Sequence, residues 1–183
     1  MKRLILISLI GGLIFINLSS CKKVLAAVYG GTDVTVPQFQ LILPQIYSVP
    51  PGEIPLGSYS YYINLDSSVR ASTGGVFGAN AVNSVKIKKV TIKITNPDAY
   101  DNLANIDSAR VTLQSSSNNN PLQLFTIGFP ATYDDTYDYT TSNSPELLPY
   151  VKGNIIIYNV FGKLRTPTNK PLGLTVDVTL RAN

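Results

Sequence analysis

The chain has 183 residues, with 15 Lys and Arg, 11 Asp and Glu, one cysteine and no histidine. Without histidine, the Ser-His-Asp and Cys-His catalytic arrangements and every His-ligated zinc site are excluded. The sequence also lacks a glycine-rich phosphate loop and a dinucleotide-binding motif. We therefore expect a protein that is not an enzyme and that needs neither a cofactor nor a metal.

A targeting segment is predicted at the N-terminus. Lys2 and Arg3 precede an apolar run over residues 4–16, and small residues and Cys21 follow it. A basic start, an apolar core of roughly 7–15 residues and small residues before the cut are typical of a secretory signal, whereas a membrane span needs about 20 apolar residues. We predict that residues 1–20 are a cleaved signal peptide. A buried N-terminal helix or an uncleaved anchor is the alternative.

Residues 18–21, Leu-Ser-Ser-Cys, resemble the lipobox of bacterial lipoproteins. The resemblance implies that Cys21 is acylated and becomes the first residue of the mature protein, so that lipid chains hold the protein on the outer membrane. Lys22 and Lys23 follow the cysteine, where surface lipoproteins of Bacteroidetes tend to have acidic residues. We therefore favour the periplasmic face, and the cell surface is the alternative.

The mature chain is predicted to be one domain on a short tether. Without Lys2 and Arg3 it has 13 basic and 11 acidic residues, a net charge of +2, which is too low for a nucleic-acid partner. Residues 21–32 show no hydrophobic periodicity and are interpreted as a lipidated tether. Residues 33–183 are long enough for one packed core. Because the only cysteine lies in the tether, the domain has no internal disulfide.

Alternation of apolar and polar residues predicts strands along the first half of the domain. Pro37 interrupts a strand over residues 34–43, which indicates an edge strand or a change of sheet. A second strand is predicted over residues 59–65, before a Gly-rich loop. A third, over residues 85–95, changes phase at residues 88–89, which predicts a β-bulge.

The second half continues the same pattern. We expect a polar hairpin connection over residues 115–121 and a short helix capped by Ser144. Further strands are predicted over residues 109–113, 122–129, 154–164 and 172–180. Seven or eight strands without a long helical period indicate an all-β protein with an antiparallel β-sandwich fold.

The order of strands and turns from Val85 onward resembles that of uncharacterised Bacteroidetes lipoproteins with an immunoglobulin-like β-sandwich. The resemblance implies a fold and no established activity. It also implies a modification, because Asp107-Ser108-Ala109 matches the three-residue O-glycosylation acceptor of envelope proteins in that phylum. Ser108 would be the acceptor.

The best candidate for a binding site is the segment over residues 132–141. Tyrosine rings can lie against a sugar face, and carboxylates accept hydrogen bonds from hydroxyls. Loops on a rigid sandwich often carry such groups. The alternatives are a Ca²⁺ site, which would lack the EF-hand glycine and glutamate, and an acidic loop without a ligand. The candidate residues are Tyr133, Asp134, Asp135, Tyr137, Asp138 and Tyr139.

We therefore expect an envelope-anchored protein that acts as a non-catalytic binding or assembly module. Its partners would be the membrane, through the lipid anchor, and envelope proteins or glycans. One alternative is a carbohydrate-binding accessory protein that uses the Tyr/Asp segment. The other is a hydrolase, which would need two facing carboxylates about 5–9 Å apart. The oligomeric state is left open.

Overall fold

The computed structural model describes residues 28–152 and 155–183. The predicted signal peptide, Cys21 and residues 22–27 of the predicted tether lie outside this part of the chain. Within it, no helix has the length and apolar character needed to cross a membrane. The strands of the described part are β1 (Thr32–Leu43), β2 (Ile54–Tyr62), β3 (Val85–Ile94), β4 (Ile106–Ser115), β5 (Asn118–Gly128), β6 (Thr136–Thr140), β7 (Ile155–Leu164) and β8 (Leu172–Ala182).

These strands form two antiparallel four-stranded sheets, with the orders β1-β8-β3-β6 and β2-β7-β4-β5. Apolar side chains on the inner faces of both sheets make one core. At one edge, the Phe39 ring of β1 stacks on Tyr59 of β2 at 4.6 Å and on Tyr158 of β7 at 5.8 Å. The predicted antiparallel β-sandwich is confirmed.

The strand order within the sandwich is that of a jelly roll. Each connection crosses to the other sheet, except the hairpin between β4 and β5. The immunoglobulin-like order implied by the resemblance would pair the first two strands within one sheet, whereas here they lie in opposite sheets. The physical reason is the connection over residues 44–53, which is rich in proline and too long for a tight hairpin.

Two irregularities expected from the sequence are present. Strand β1 lies at an edge, and its pairing with β8 shifts between Val36 and Phe39, around Pro37. The pairing of β3 with β8 shifts between Ile87 and Lys89, which confirms the bulge. The bulge keeps the apolar side chains of β3 on the inner face in both halves of the strand.

The strand predicted over residues 59–65 ends earlier than expected. Helix α1 (Leu65–Ser72) begins there because the Asn64 side chain accepts a hydrogen bond from the Ser67 amide at 2.9 Å. Part of the Gly-rich segment that follows forms a 3₁₀ turn over Ala79–Ala81. A second 3₁₀ helix, over Leu103–Asn105, precedes β4.

Two further boundaries differ from the prediction. The three asparagines of residues 118–120 belong to β5, so the connection after β4 is two residues long. Helix α2 (Leu148–Val151) begins later than predicted, because the Ser144 hydroxyl accepts a hydrogen bond from the Ile87 amide at 2.8 Å instead of capping a helix. This contact holds the chain before α2 against β3.

Candidate functional site

The jelly roll gathers its connections at two opposite ends. We call one the loop end; its connections cover residues 44–53, 95–105, 129–135 and 165–171. We call the other the tether end, because the chain reaches β1 there from residue 28. The tether end also contains α1, α2 and the β4–β5 hairpin.

Hydrogen bonds tie the connections of the loop end together. The Ile46 amide donates to the Thr168 hydroxyl and the Thr168 amide to the Ile46 carbonyl, both at 2.9 Å. The next amide, that of Asn169, donates to the carboxylate of buried Asp101 at 2.8 Å. The connection between β7 and β8 therefore joins the connections that follow β1 and β3.

The connection between β5 and β6 is attached to the same frame. The Leu103 amide donates to the Asp134 carbonyl at 2.9 Å. The Arg165 guanidinium donates to the carbonyls of Ala104 at 2.7 Å and Phe129 at 2.9 Å. Since these are backbone acceptors, they fix the paths of the loops and not only their side chains.

Three exposed tyrosines project from this frame, next to the residues that tie it. Tyr47 is 83% exposed, Tyr100 78% and Tyr133 59%. Each comes from a different loop. Among the described residues, Tyr62 is the other exposed tyrosine, and it lies at the tether end of β2. The loop end thus holds three separate aromatic rings on a hydrogen-bonded support.

Sequence reasoning missed Tyr47 and Tyr100. Both are single tyrosines in polar or proline-rich connections, and no pattern along the chain relates them to each other. The only local signal is an aromatic residue in a connection, and single exposed apolar side chains are common on protein surfaces. Their grouping depends on the strand order.

The predicted segment over residues 132–141 is divided between two surfaces. Tyr137 and Tyr139 belong to β6 and face the core, where their rings lie 5.3 Å from Phe129 and Phe125. Asp138 lies between them on the outer face. These two tyrosines are packing residues that close the sandwich over β5.

The aspartates of the segment are engaged with their own surroundings. Asp138 accepts a hydrogen bond from the Thr91 hydroxyl and forms an ion pair with Lys89 at 2.9 Å. Asp134 accepts from the Thr136 amide at 3.0 Å, and Asp135 from the Thr136 hydroxyl at 2.9 Å. The structure therefore leaves Tyr133 as the member of the segment whose ring stands free at the loop end.

One lysine and two backbone amides surround a further carboxylate at the loop end. Asp98 forms an ion pair with Lys170 and accepts hydrogen bonds from the amides of Tyr100 and Asp101, each at 2.9 Å. The Lys170 hydrogen bond first, and then these amides, lower the pKa of Asp98. In the described part of the chain, three or more His, Cys, Asp or Glu side chains do not come together in a way that could hold a metal ion.

Ser108 lies in β4, an inner strand, opposite Gly128 of β5 and Lys163 of β7. It is half-buried. The preceding Asp107 pairs with Lys163 at 3.2 Å and with Arg165 at 3.3 Å. A modification of Ser108 would therefore lie on the outer face of the β2-β7-β4-β5 sheet, close to the loop end.

No protein-family model and no curated protein matches the sequence. Among solved structures, the chain is similar to the GH31 CBM32-2 bound to GalNAc, at 15% identity and a TM-score of 0.29, over 52% of this chain and 58% of that one. It is similar to a carbohydrate-binding module from the beta-sandwich superfamily at 10% identity and a TM-score of 0.33, over 82% and 55% of the two chains.

A third similarity is to the VP2 subviral particle of infectious bursal disease virus, at 8% identity and a TM-score of 0.34, over 84% of this chain and 32% of that one. The chain spans less than two thirds of the length of each of the three. At these scores the similarities carry no argument, and the fold rests on the strand order described above.

Proposed function

We propose that this protein is an envelope-anchored, non-catalytic binding module that holds a glycan at its loop end. The observation that supports this most is the position of Tyr47, Tyr100 and Tyr133, exposed on three loops that hydrogen bonds join into one frame. Rigid loops that carry exposed aromatic rings are typical of recognition surfaces.

The chemistry of the loop end suits a sugar. A tyrosine ring has an apolar face that can cover the C–H face of a pyranose, and its hydroxyl adds a polar contact. The partly exposed Asp98–Lys170 pair offers a charged acceptor and donor beside Tyr100. Because tyrosine has few rotatable bonds, ordering three rings costs little entropy.

The direction of β1 supports an arrangement in which the loop end stands away from the membrane. In the proposal Cys21 is acylated, and the chain reaches the sandwich at the tether end. β1 has 12 residues and runs from the tether end to the loop end, a span of about 40 Å. A ligand outside the membrane would therefore meet the tyrosines first.

The carboxyl groups favour binding over hydrolysis. A general acid at neutral pH needs a raised pKa. The described carboxyls whose pKa departs clearly from its usual value are all lowered, mostly by hydrogen bonds and ion pairs, and are thus held as carboxylates. They are Asp33, Glu53, Asp66, Asp98, Asp138 and Glu146.

The ligand proposal is tested with the detergent-solubilised full chain on an array of plant, microbial and host glycans. We expect binding that weakens about tenfold or more in Tyr47→Ala or Tyr100→Ala, because each removes a whole ring. Tyr62→Ala is the matched control, since Tyr62 is also exposed but lies at the tether end. Absence of binding at millimolar glycan, or equal losses in all three variants, would contradict the proposal.

The anchor is tested separately in cells fed a fatty acid with a clickable tag. We expect the natural chain to carry the label and Cys21→Ala to remain unlabelled and unprocessed. Ser20→Ala serves as the control, because it keeps a small residue before the cysteine. Normal processing of Cys21→Ala would rule the anchor out.

A further inference from the structure

Two exposed valines lie beside one pair of aromatic rings at the tether end. The Tyr29 and Phe77 rings contact each other at 5.3 Å. Val28 directly precedes Tyr29 and is 68% exposed, and Val76 directly precedes Phe77 and is 70% exposed. The fold therefore brings two distant parts of the chain together and leaves an aliphatic side chain of each in solvent.

A second pair of exposed apolar side chains lies at the same end, on the β2-β7-β4-β5 sheet. Tyr62 and Ile155 are directly opposite each other in β2 and β7, so their side chains share one face. Both are exposed. Among the described residues, the large exposed apolar side chains of the tether end are thus three aliphatic residues and one tyrosine.

Hydrogen bonds make the tether end one body. The Arg181 guanidinium donates to the Gly30 carbonyl at 2.8 Å. The amides of Asn83 and Ser84 donate to the Asn183 carbonyl at 2.6 and 2.9 Å. The residues that lead into β1, the end of β8 and the segment before β3 are therefore joined.

An open cleft of about 430 Å³ lies on this body. It contains two amide side chains and one ammonium group, and Lys152 makes no salt bridge with the described residues. Such groups can donate hydrogen bonds to phosphate oxygens. The cleft is lined by Ala79, Asn80, Val82, Asn83, Leu148 and Lys152.

We infer that the tether end docks on an anionic phospholipid bilayer. Val28, Val76 and the Tyr62–Ile155 pair enter the interface, and Lys152 lies at the level of the lipid phosphates. Aliphatic and tyrosine side chains partition into this interfacial layer, and basic side chains are attracted to its negative surface.

The inference rests on the proposed anchoring. Cys21 is seven residues before Val28 in the sequence, and a chain of that length reaches at most about 25 Å. Acylation of Cys21 would keep the tether end within that distance of the bilayer. Weak interfacial contacts are then sufficient, because the anchor supplies a high effective concentration.

The chain contains no tryptophan, so a single substitution reports on one position. The full lipidated chain carrying Val76→Trp is reconstituted in phosphatidylglycerol–phosphatidylethanolamine vesicles that contain brominated lipid. We expect blue-shifted emission and quenching by the brominated lipid. Tyr47→Trp at the loop end is the control and should be quenched only by aqueous acrylamide. Emission of Val76→Trp that is open to acrylamide and unaffected by brominated lipid would overturn the docking.

A flotation measurement separates this inference from the anchor. Flotation of the protein with vesicles tests the anchoring, whereas quenching tests the docking of floated protein. If the protein does not float, the anchoring fails. The docking is then tested alone with an excess of vesicles. Quenching of the Val76→Trp emission by brominated lipid supports the docking, and the absence of quenching overturns it.

A variant that combines Val28→Asp and Lys152→Glu in the Val76→Trp chain should remove the quenching. These positions are exposed, so folding is retained, which circular dichroism checks.

Discussion

The two ends of this sandwich are built from the same eight strands and differ in the side chains and connections that they carry. The loop end has four connections that hydrogen-bond to one another and carry three free tyrosines. The tether end has short helices, exposed aliphatic side chains and a cleft with a lysine. A jelly roll sends alternate connections to opposite ends, so one small domain can separate a ligand surface from a membrane surface.

The largest expected effect concerns the support of the loop end. Arg165 donates to the carbonyls of Ala104 and Phe129, and Arg165→Ala would leave these half-buried acceptors without a partner. We expect a loss of about 3 kcal/mol in the free energy of unfolding, measured by urea denaturation. Lys163→Ala is the control, because Lys163 is exposed and its one salt bridge to the described residues is with Asp107, and the change should cost less than about 0.5 kcal/mol. Equal effects of the two changes would show that the loop end is not held by Arg165.

The second prediction separates tyrosines that lie six positions apart. Tyr139→Ala removes a ring packed on Phe125 and should destabilise the fold by about 2 kcal/mol. Tyr133→Ala removes an exposed ring and should change stability by less than about 0.5 kcal/mol. Thermal unfolding of both variants checks the difference. A Tyr139→Ala protein as stable as the natural chain would contradict the division of this segment between core and solvent.

The third prediction concerns the backbone where the chain enters the tether end. Gly31 has a φ of +79°, and a Cβ there would approach the Ala182 carbonyl to 2.9 Å. We expect Gly31→Ala to destabilise the fold by at least about 1 kcal/mol. At Gly30 a Cβ would meet nothing within 4 Å, so Gly30→Ala is the matched control and should be close to neutral. A neutral Gly31→Ala would contradict the close contact between this residue and the end of β8.

The smallest effect is a dependence on pH at the tether end. Burial would raise the pKa of Glu146, but hydrogen bonds from Ser84, Val85 and Leu148 outweigh it, and the pKa is lowered. A lowered pKa means that the stabilisation is present above the ordinary glutamate pKa and is lost as the pH falls through the folded-state pKa. Glu146→Gln should therefore show a smaller loss of unfolding free energy between neutral pH and about pH 3. If Glu146→Gln leaves the pH dependence of the unfolding free energy unchanged, Glu146 does not have the lowered pKa described above.

The sequence predicts inner and outer faces well, because alternation and bulges are local properties. The shift at Lys88-Lys89 and the edge position of Pro37 could both be read from neighbouring residues. The sheet that each strand joins depends on long-range pairing, which alternation does not encode. For this reason the jelly-roll order was not predicted.

The same limit explains the candidate site. The run Thr-Tyr-Asp-Tyr-Thr over residues 136–140 alternates as a strand does, and this signal places Tyr137 and Tyr139 on one face and Asp138 on the other. Composition alone made the run resemble a binding loop. Tyr47 and Tyr100 have no such local signal. They come to the same end of the molecule only when the four connections meet in the folded structure.

The most direct test of the two-ended molecule is fluorine NMR of the full lipidated chain with its 11 tyrosines replaced by 3-fluorotyrosine. Oligosaccharides that contain glucose, galactose, mannose or N-acetylglucosamine are added at millimolar concentration, and phospholipid vesicles are added in a second sample. We predict that sugars shift the resonances of Tyr47, Tyr100 and Tyr133, and that vesicles shift that of Tyr62. Sugars that shift Tyr62, or vesicles that shift Tyr47 and Tyr100, would contradict the separation of the two surfaces.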